Sequence, residues 1–461
     1  MCRGLRGRAG GDGNGVRVAG SSARLGLGSC TGGGTVSTPV VPSEARVDAA
    51  AWPDVAVVPA GIRTRAAAVV AERIFTSTVR GLPLRVVYDD GTLLGAPESD
   101  GAPEMRIHRP ADFYARLGRG WLIGFGESYL AEDWTAEDLT AVLQVFAEHA
   151  VHLGSGPLGQ LSRLHLPRRP GRERNSQTNA RANVSHHYDL SNDLFALFLD
   201  ETMSYSSALF DAPAAGLPQA GPDDLAAAQR RKIDRLLDRA RVGEGTRLLE
   251  IGTGWGELAL RAAARGADVV SVTLSTEQKR LAEERVAAAG FADRVRVELK
   301  DYRAVEGEYD AVVSVEMIEA VGYEHWPVYF QTLDRLLAPG GRAAIQAITL
   351  PHERMLASRR SYTWIHKYIF PGGFIPSVRA IEDITARETG LRVRERFTMG
   401  DSYASTLRLW EERFTSRHDE VAALGFDETF ERMWRFYLCY SRAGFQAGYL
   451  DVQQFLFDRR P

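Results

Sequence analysis

The sequence predicts an α/β protein: a mostly parallel sheet with helices on both faces, preceded by a small α/β N-terminal domain. Three observations carry this. From residue 183 onward, short apolar runs alternate with helical patterns, which implies crossover connections and a sheet covered on both sides. The segment LLEIGTGWGELAL (Leu248–Leu260) joins an apolar run to a helical pattern through Gly252, Gly254 and Gly256. That is a strand–turn–helix in which bare backbone can approach a ligand at a helix N-terminus. At 461 residues the chain is also long enough for two domains.

Taken in order, residues 1–62 form a tail and lead-in. Residues 1–35 are rich in Gly, Ser and Arg and hold little that could bury a core, so they read as disorder or as sequence upstream of a later start near Val36. Residues 63–155 read as the small α/β domain. Ala66–Phe75 is helical, Leu82–Thr92 is a hairpin turning at Asp90-Gly91, and Ala111–Leu117 and Ala136–His149 are helical. Between those helices, Gly120–Trp134 carries three glycines among aromatics and reads as a loop, either over a ligand or in the core. Residues 156–182 are a basic linker with Arg163, Arg168, Arg169, Arg172, Arg174 and Arg181. It is either a solvated connection or a segment attracted to anionic phospholipid, at about 1 kcal/mol per basic residue near the surface.

The rest, residues 183–461, is the larger domain. The pattern Asp223–Arg241 is a helix with Ile233, Leu236, Leu237 and Ala240 on one face. Strands are expected at Arg247–Ile251, Asp268–Thr273, Arg294–Leu299, Tyr309–Val315, Gly341–Ile348 and Leu391–Phe397. Ser275-Thr276-Glu277-Gln278 matches a capping box. Gly448–Phe457 alternates like a closing antiparallel strand. In such a sheet, ligands sit at the C-terminal edge of the strands.

The glycine spacing selects among cofactors. A dinucleotide site wants G-x-G-x-x-G and an acidic residue about 20 positions on. Here the spacing is G-x-G-x-G, and the second strand, Ala267–Ser275, ends without a carboxylate. No Walker lysine follows the glycines. A methyltransferase site needs close backbone approach to the methionine part of S-adenosylmethionine, and this turn permits it. A net charge of −3 gives no global basic field for nucleic acid. No apolar run reaches the about 18 residues of a transmembrane helix, and no apolar h-region marks a secretory signal. Cys2, Cys30 and Cys439 make no disulfide framework, which fits a reducing cytoplasm. His186-His187 lacks partners at ligand spacing, so no metal is expected.

These residues carry a resemblance. His187–Ser206 (HYDLSNDLFALFLDETMSYS), Leu248–Gly256, Val272–Gln278, Ser314–Gly322 (SVEMIEAVG), Tyr368–Ser377 (YIFPGGFIPS), Tyr403–Trp410 and Gly448–Phe455 appear in family order. They resemble the cyclopropane-fatty-acyl-phospholipid synthase and mycolic acid cyclopropane synthase family of S-adenosylmethionine-dependent methyltransferases. Phe125–Trp134 resembles the N-terminal lipid-binding domain of its longer bacterial members. Within the family, the chain is most similar to the actinobacterial enzymes that methylate oleoyl chains on the way to 10-methylstearic (tuberculostearic) acid.

The resemblance implies a class I, Rossmann-like methyltransferase fold and assigns residues. Tyr188, Tyr205 and Ser206 match positions around the cofactor. Gly252 and Gly254 match those against its methionine part, and Gly256 is the third glycine expected to bind the cofactor. Thr273, Leu274 and Gln278 match positions near its ribose and amino-acid end, and Asp301 and Tyr302 those near adenine. Glu319 and Tyr403 match the catalytic pocket, which in the family holds a bicarbonate ion that takes the proton. Three positions depart from that pocket. Ser207 stands where many members have cysteine, Gln346 where many have a bicarbonate-binding histidine, and Ser441 where the cyclopropane enzymes have cysteine.

An isolated alkene is a poor nucleophile, so the acceptor must be held in line with the sulfonium methyl; orientation supplies at most about 7–11 kcal/mol. Methyl transfer leaves a carbocation on the acyl chain, from which water must be excluded. Aromatic faces stabilise a cation by about 0.5–2 kcal/mol each. Tyr362, Trp364, Tyr368, Phe370, Phe374, Tyr403 and Trp410 supply many, most of them expected to be core. The altered lining at Ser207, Gln346 and Ser441 favours an exocyclic methylene product, a 10-methyl precursor, over a cyclopropane ring. A separate flavin- or NADPH-dependent reductase would then act on it. A small-molecule methyltransferase and an inactive lipid-binding protein are the other readings. The expected substrate is unsaturated phospholipid and the expected place the inner face of the cell membrane, as a cytoplasmic peripheral protein; a homodimer is one option the sequence leaves open.

Overall fold

The computed structural model describes residues 47–155, 191–211, 220–359 and 361–459. The tail 1–35, the basic linker 156–182, His186-His187 and Tyr188 lie outside the described residues.

Before residue 156 the elements are α1 (Pro53–Ala56), α2 (Ile62–Val79), β1 (Arg85–Tyr88), β2 (Leu93–Gly95), β3 (Glu104–Ile107), α3 (Pro110–Gly120), α4 (Leu122–Leu130), β4 (Trp134–Thr135) and α5 (Leu139–Ser155). The strands form one small sheet in the order β2-β1-β3-β4. The hairpin forms as expected: Gly91 N–H donates to Tyr88 O at 2.9 Å, and Asp90 Oδ1 accepts from Thr92 N–H. Helix α2 buries Ala71, Phe75 and Val79, spaced four apart, against α3.

Gly120–Trp134 is not a loop. Most of it is helix α4, and its glycines serve close packing. A Cβ on Gly124 would lie 1.9 Å from Arg116 O, and one on Gly126 would lie 2.4 Å from the Trp364 ring. The backbone of α3 and an indole approach this backbone closer than any side chain would allow. Trp121, at φ +47°, makes the sharp turn between α3 and α4.

After residue 191 the elements are α6 (Asn192–Phe198), α7 (Asp224–Arg239), β5 (Arg247–Ile251), α8 (Glu257–Ala264), β6 (Asp268–Thr273), α9 (Thr276–Ala288), β7 (Val295–Leu299), β8 (Tyr309–Val315), α10 (Ile318–Val321), α11 (Trp326–Leu336), β9 (Leu337–Thr349), α12 (His352–Ser358), α13 (Trp364–Tyr368), α14 (Val378–Glu388), β10 (Leu391–Thr398), α15 (Gly400–Thr415), α16 (His418–Ala423), α17 (Glu428–Gln446) and β11 (Asp451–Arg459). The seven-stranded sheet runs β10-β11-β9-β8-β5-β6-β7. Neighbours from β9 to β7 are parallel, and β11 inserts antiparallel between β9 and β10. The alternation of sequence signals therefore gives the expected doubly covered sheet. Strand order reverses between β5 and β8, and the crevice above their carboxyl ends is where such a sheet binds ligands.

Only half of the predicted capping box forms. Ser275 Oγ accepts from Gln278 N–H at 3.2 Å. The Gln278 side chain turns instead to Thr273, accepting from its Oγ1 at 2.8 Å.

The core crosses the predicted junction between the two domains. One hydrophobic cluster contains Phe75, Phe113 and Trp134 from the N-terminal part and Trp410, Trp434 and Phe436 from α15 and α17. Tyr129 of α4 meets Phe436 at 5.4 Å between ring centroids. Arg432 Nε donates to Leu130 O at 2.9 Å.

Candidate active site

A pocket opens above the carboxyl ends of β5, β6 and β8. Its walls include Tyr205, Ser206, Gly252, Gly254, Thr273, Leu274, Gln278, Asp301 and Tyr302, all singled out in the sequence. The β5–α8 turn supplies its floor. Gly254 sits at φ +52°, and a Cβ built there meets no protein atom within 4 Å. That missing side chain leaves open space in the pocket. Gly256 does something else: its Cβ would lie 3.1 Å from Ala282 Cβ, so it lets α8 pack on α9 and is not part of the wall. Beneath the turn, buried Glu250 accepts from Ser271 Oγ at 2.6 Å, and burial pushes its carboxyl up to about 8.

Across the pocket, Asp301 caps a short 3₁₀ turn by accepting from Arg303 N–H at 2.9 Å, and its carboxylate also holds the Arg303 guanidinium. Tyr302 packs edge-on against Tyr329 at 5.6 Å. Its buried hydroxyl has no hydrogen-bond partner among the described residues.

The polar centre of the site is Glu316, the first residue past β8, which also lines the pocket. It has φ +47°, a left-handed conformation unfavourable for a residue with a Cβ. Three groups from three separate segments converge on its carboxylate. Ser207 N–H donates at 2.9 Å, Gln346 Nε2 of β9 at 2.8 Å, and Tyr403 Oη of α15 at 2.7 Å. Burial raises the Glu316 carboxyl, opposed by the charge of Lys232. Lys232 is itself buried on α7 and donates from Nζ to Ser206 Oγ at 2.6 Å; burial pulls its ammonium down to about 8.

Three of the predicted catalytic residues thus meet at a carboxylate that the sequence reading passed over. Ser207 takes part through its backbone, since its Oγ donates to Ala208 O. Gln346 also donates to Ser207 O and accepts from Gln454 Nε2 at 3.0 Å. Glu319 lies behind this centre and is not in the pocket wall. Its Oε1 accepts from Ile348 N–H at 2.5 Å, while buried Oε2 has no partner among the described residues. Burial, and then the charge of Glu316, push its carboxyl up to about 8. Ser441 lies on α17, one turn from Tyr437, whose hydroxyl meets that of Tyr205 at 2.8 Å, and one turn from Phe445, which packs on Tyr403 at 4.5 Å.

Two signals could have found what was missed. The predicted strand Tyr309–Val315 ends immediately before Glu316, at the edge where this fold puts chemistry. Gln229 and Lys232 interrupt the apolar face of α7 at helical spacing, and a polar residue on a buried face needs a reason.

Comparison with known proteins agrees with this geometry. A sequence model of the family described as mycolic acid cyclopropane synthetase matches residues 175–455. The chain belongs to that family. It is 56% identical to the tuberculostearic acid methyltransferase of Mycobacterium tuberculosis over 425 residues, covering 92% of this chain and 99% of that one. It is 33% identical to the cyclopropane-fatty-acyl-phospholipid synthase of Escherichia coli over 361 residues, 77% of this chain and 88% of the relative. A mycolic acid cyclopropane synthase solved with S-adenosylhomocysteine superposes with a TM-score of 0.54 at 30% identity, over 60% of this chain and 97% of that one. This member of the mycolic acid cyclopropane synthetase family is therefore an S-adenosylmethionine-dependent methyltransferase, and the sheet edge holding Gly254 and Glu316 is its candidate centre.

Proposed function

We propose that the chain transfers the methyl group of S-adenosylmethionine to the double bond of an oleoyl-type phospholipid chain and releases a 10-methylene product, with Glu316 as the base. The observation that carries this is the convergence of Ser207 N–H, Gln346 and Tyr403 on the carboxylate of Glu316, a residue that lines the pocket.

The residues present fit the cofactor. The open space over Gly254 suits its methionine part, and the partnerless Tyr302 hydroxyl and the Asp301 turn suit its adenosine end. Tyr205 and Ser206 line the pocket and would flank it, and Thr273, Leu274 and Gln278 would hold its ribose side. When bound, S-adenosylmethionine supplies an electrophilic methyl group.

In the reaction, one alkene carbon takes the methyl group and its neighbour becomes a cation. Tyr205, stacked on Trp410 at 5.2 Å, and Tyr403 offer aromatic and hydroxyl groups while the surrounding core excludes water. A hydride shifts from the methylated carbon to its neighbour, leaving the cation on the branched carbon. The new methyl group then gives a proton to Glu316, and its C–H electron pair becomes the exocyclic double bond.

A buried carboxylate with a raised proton affinity is a competent acceptor. Glu319 serves differently: with its carboxyl near 8 it holds a proton at neutral pH, so only one charge faces the cation. Among the described residues, the donors Ser207 N–H, Gln346 Nε2 and Tyr403 Oη already end on Glu316, so the protein's own carboxylate takes the role of a bound bicarbonate. A separate flavin- or NADPH-dependent reductase would saturate the product. No helix of the described residues is long and apolar enough to cross a membrane, and we place the enzyme peripherally at the inner face of the membrane that holds its substrate.

The test is incubation of the purified chain with S-adenosylmethionine and dioleoyl phospholipid, followed by proton NMR of the extracted lipid. Vinylidene protons are expected. Upfield cyclopropane methylene protons without them overturn the product assignment, and unmodified lipid overturns the substrate.

A further inference from the structure

We infer that the tip formed by the α1–α2 and α3–α4 connections is the surface on which this protein docks onto an anionic phospholipid bilayer. The inference rests on the lipid-substrate reading above and adds where the lipid is met.

Three of the most exposed large apolar side chains lie on the segments of this tip: Ile62 is 79% exposed, Val57 63% and Leu122 61%. They are distant in sequence and brought together by the helix packing. Phe75 of α2 meets Phe113 of α3 at 5.1 Å, while at the other end Gly118 lets α3 lie against the backbone of Ala67. The helices are therefore antiparallel, and the start of α2 lies beside the end of α3 and the start of α4. Arg116 Nη1 donates to Val57 O at 3.3 Å and ties the α1–α2 connection to the same end.

The charge there suits one kind of partner. Arg63, Arg65 and Arg119 are exposed around the apolar side chains. The acid nearby, Asp54, has its carboxylate held by Lys367 Nζ at 2.8 Å. Isolated side chains this exposed protrude and do not form a cleft for a peptide. Protruding aliphatics ringed by arginine match a bilayer interface, where apolar groups enter the acyl boundary and cations meet phosphate.

Packed side chains connect the tip to the pocket wall. Helix α4 begins at Leu122, passes under Trp364 at Gly126 and meets Phe436 through Tyr129. Seven residues of helix span about 10 Å. The neighbour of Phe436, Tyr437, bonds Tyr205 in the pocket wall and packs on Phe370 at 5.8 Å. Docking at the tip is thereby coupled to the pocket wall through packed aromatic side chains.

The experiment is sedimentation of the full chain with dioleoylphosphatidylglycerol or dioleoylphosphatidylcholine vesicles, beside methylation assays on the same lipid in vesicles and dispersed in detergent. The parent should bind phosphatidylglycerol vesicles and release as salt rises. Ile62→Asp/Leu122→Asp should bind them at least tenfold more weakly, bind S-adenosylhomocysteine within twofold of the parent, and lose turnover on vesicles while keeping it in detergent. Arg63→Glu/Arg65→Glu/Arg119→Glu should remove the preference for phosphatidylglycerol. Parent-like vesicle binding by the double-aspartate variant overturns the surface. So does a dimer-to-monomer change in that variant, which would make the tip an interface between copies. If the variants lose vesicle binding but the parent methylates lipid in neither form, the docking surface stands and the activity reading fails.

Discussion

Glu316 concentrates most of what is unusual at the residue scale. A left-handed conformation in a residue with a Cβ costs on the order of 1–3 kcal/mol and persists only where the surroundings hold it. Here the bonds from Ser207, Gln346 and Tyr403 hold it. Glu316→Gln keeps the shape and removes the charge. Turnover should fall by about a hundredfold or more, the scale of losing one preorganised electrostatic group, while calorimetry finds S-adenosylhomocysteine binding within a few-fold of the parent. Near-parental turnover would remove Glu316 from the chemistry. Glu319→Gln should instead act on stability. The Glu319 carboxyl keeps its proton up to about 8, whereas in the unfolded chain it ionises near 4.5. Between those values the folded state binds more protons, so this group favours folding below 4.5 and loses that contribution as pH rises to 8. Melting temperatures at pH 5 and pH 8 should therefore differ less in Glu319→Gln than in the parent. An unchanged or larger difference would show that the site ionises normally.

At the scale of elements, the β5–α8 turn separates two jobs that its glycines share in the sequence. Gly254→Val should fold, with a modest loss from its φ, and fail to bind S-adenosylmethionine, because its side chain enters ligand space that no protein atom fills. Gly256→Val should lose stability, by about 1–3 kcal/mol, because its side chain presses on Ala282 of α9. Denaturant melts and cofactor titration on both variants check the split. If Gly254→Val binds as tightly as the parent, the floor of the pocket lies elsewhere. Helix α4 teaches a related lesson. Its glycines suggest a loop because glycine disfavours helix by about 1 kcal/mol, yet the intimate contact with α3 and Trp364 outweighs that preference.

The whole molecule departs most from a reading by segments. The N-terminal part and the larger domain share one hydrophobic cluster, joined where Tyr129 and Trp364 pack on Phe436. Trp52 Nε1 also donates to Asp427 Oδ2 at 2.8 Å, at the start of α17. A chain reduced to residues 183–461 would expose the outer face of α17, so it should bind a hydrophobic dye and melt well below the parent. A truncated chain that melts at the parent's temperature would show that the two parts are independent.

The sequence by itself determined the alternating architecture, the strand positions within a few residues, the glycine turn and nine residues of the pocket wall. These follow from local signals: apolar periodicity, glycine at a strand–helix junction, and motifs whose residues lie close together in the chain. Tertiary structure decided which side chains meet. Ser207, Glu316, Gln346 and Tyr403 are spread over nearly 200 positions and come together because β8 and β9 are neighbours and α15 packs over their ends. No periodicity encodes that meeting, so the sequence points to Glu319, the carboxylate with a family match, and leaves Glu316 unmarked. Burial and charge, which set the two apart, arise only once the sheet, α7 and α15 enclose them.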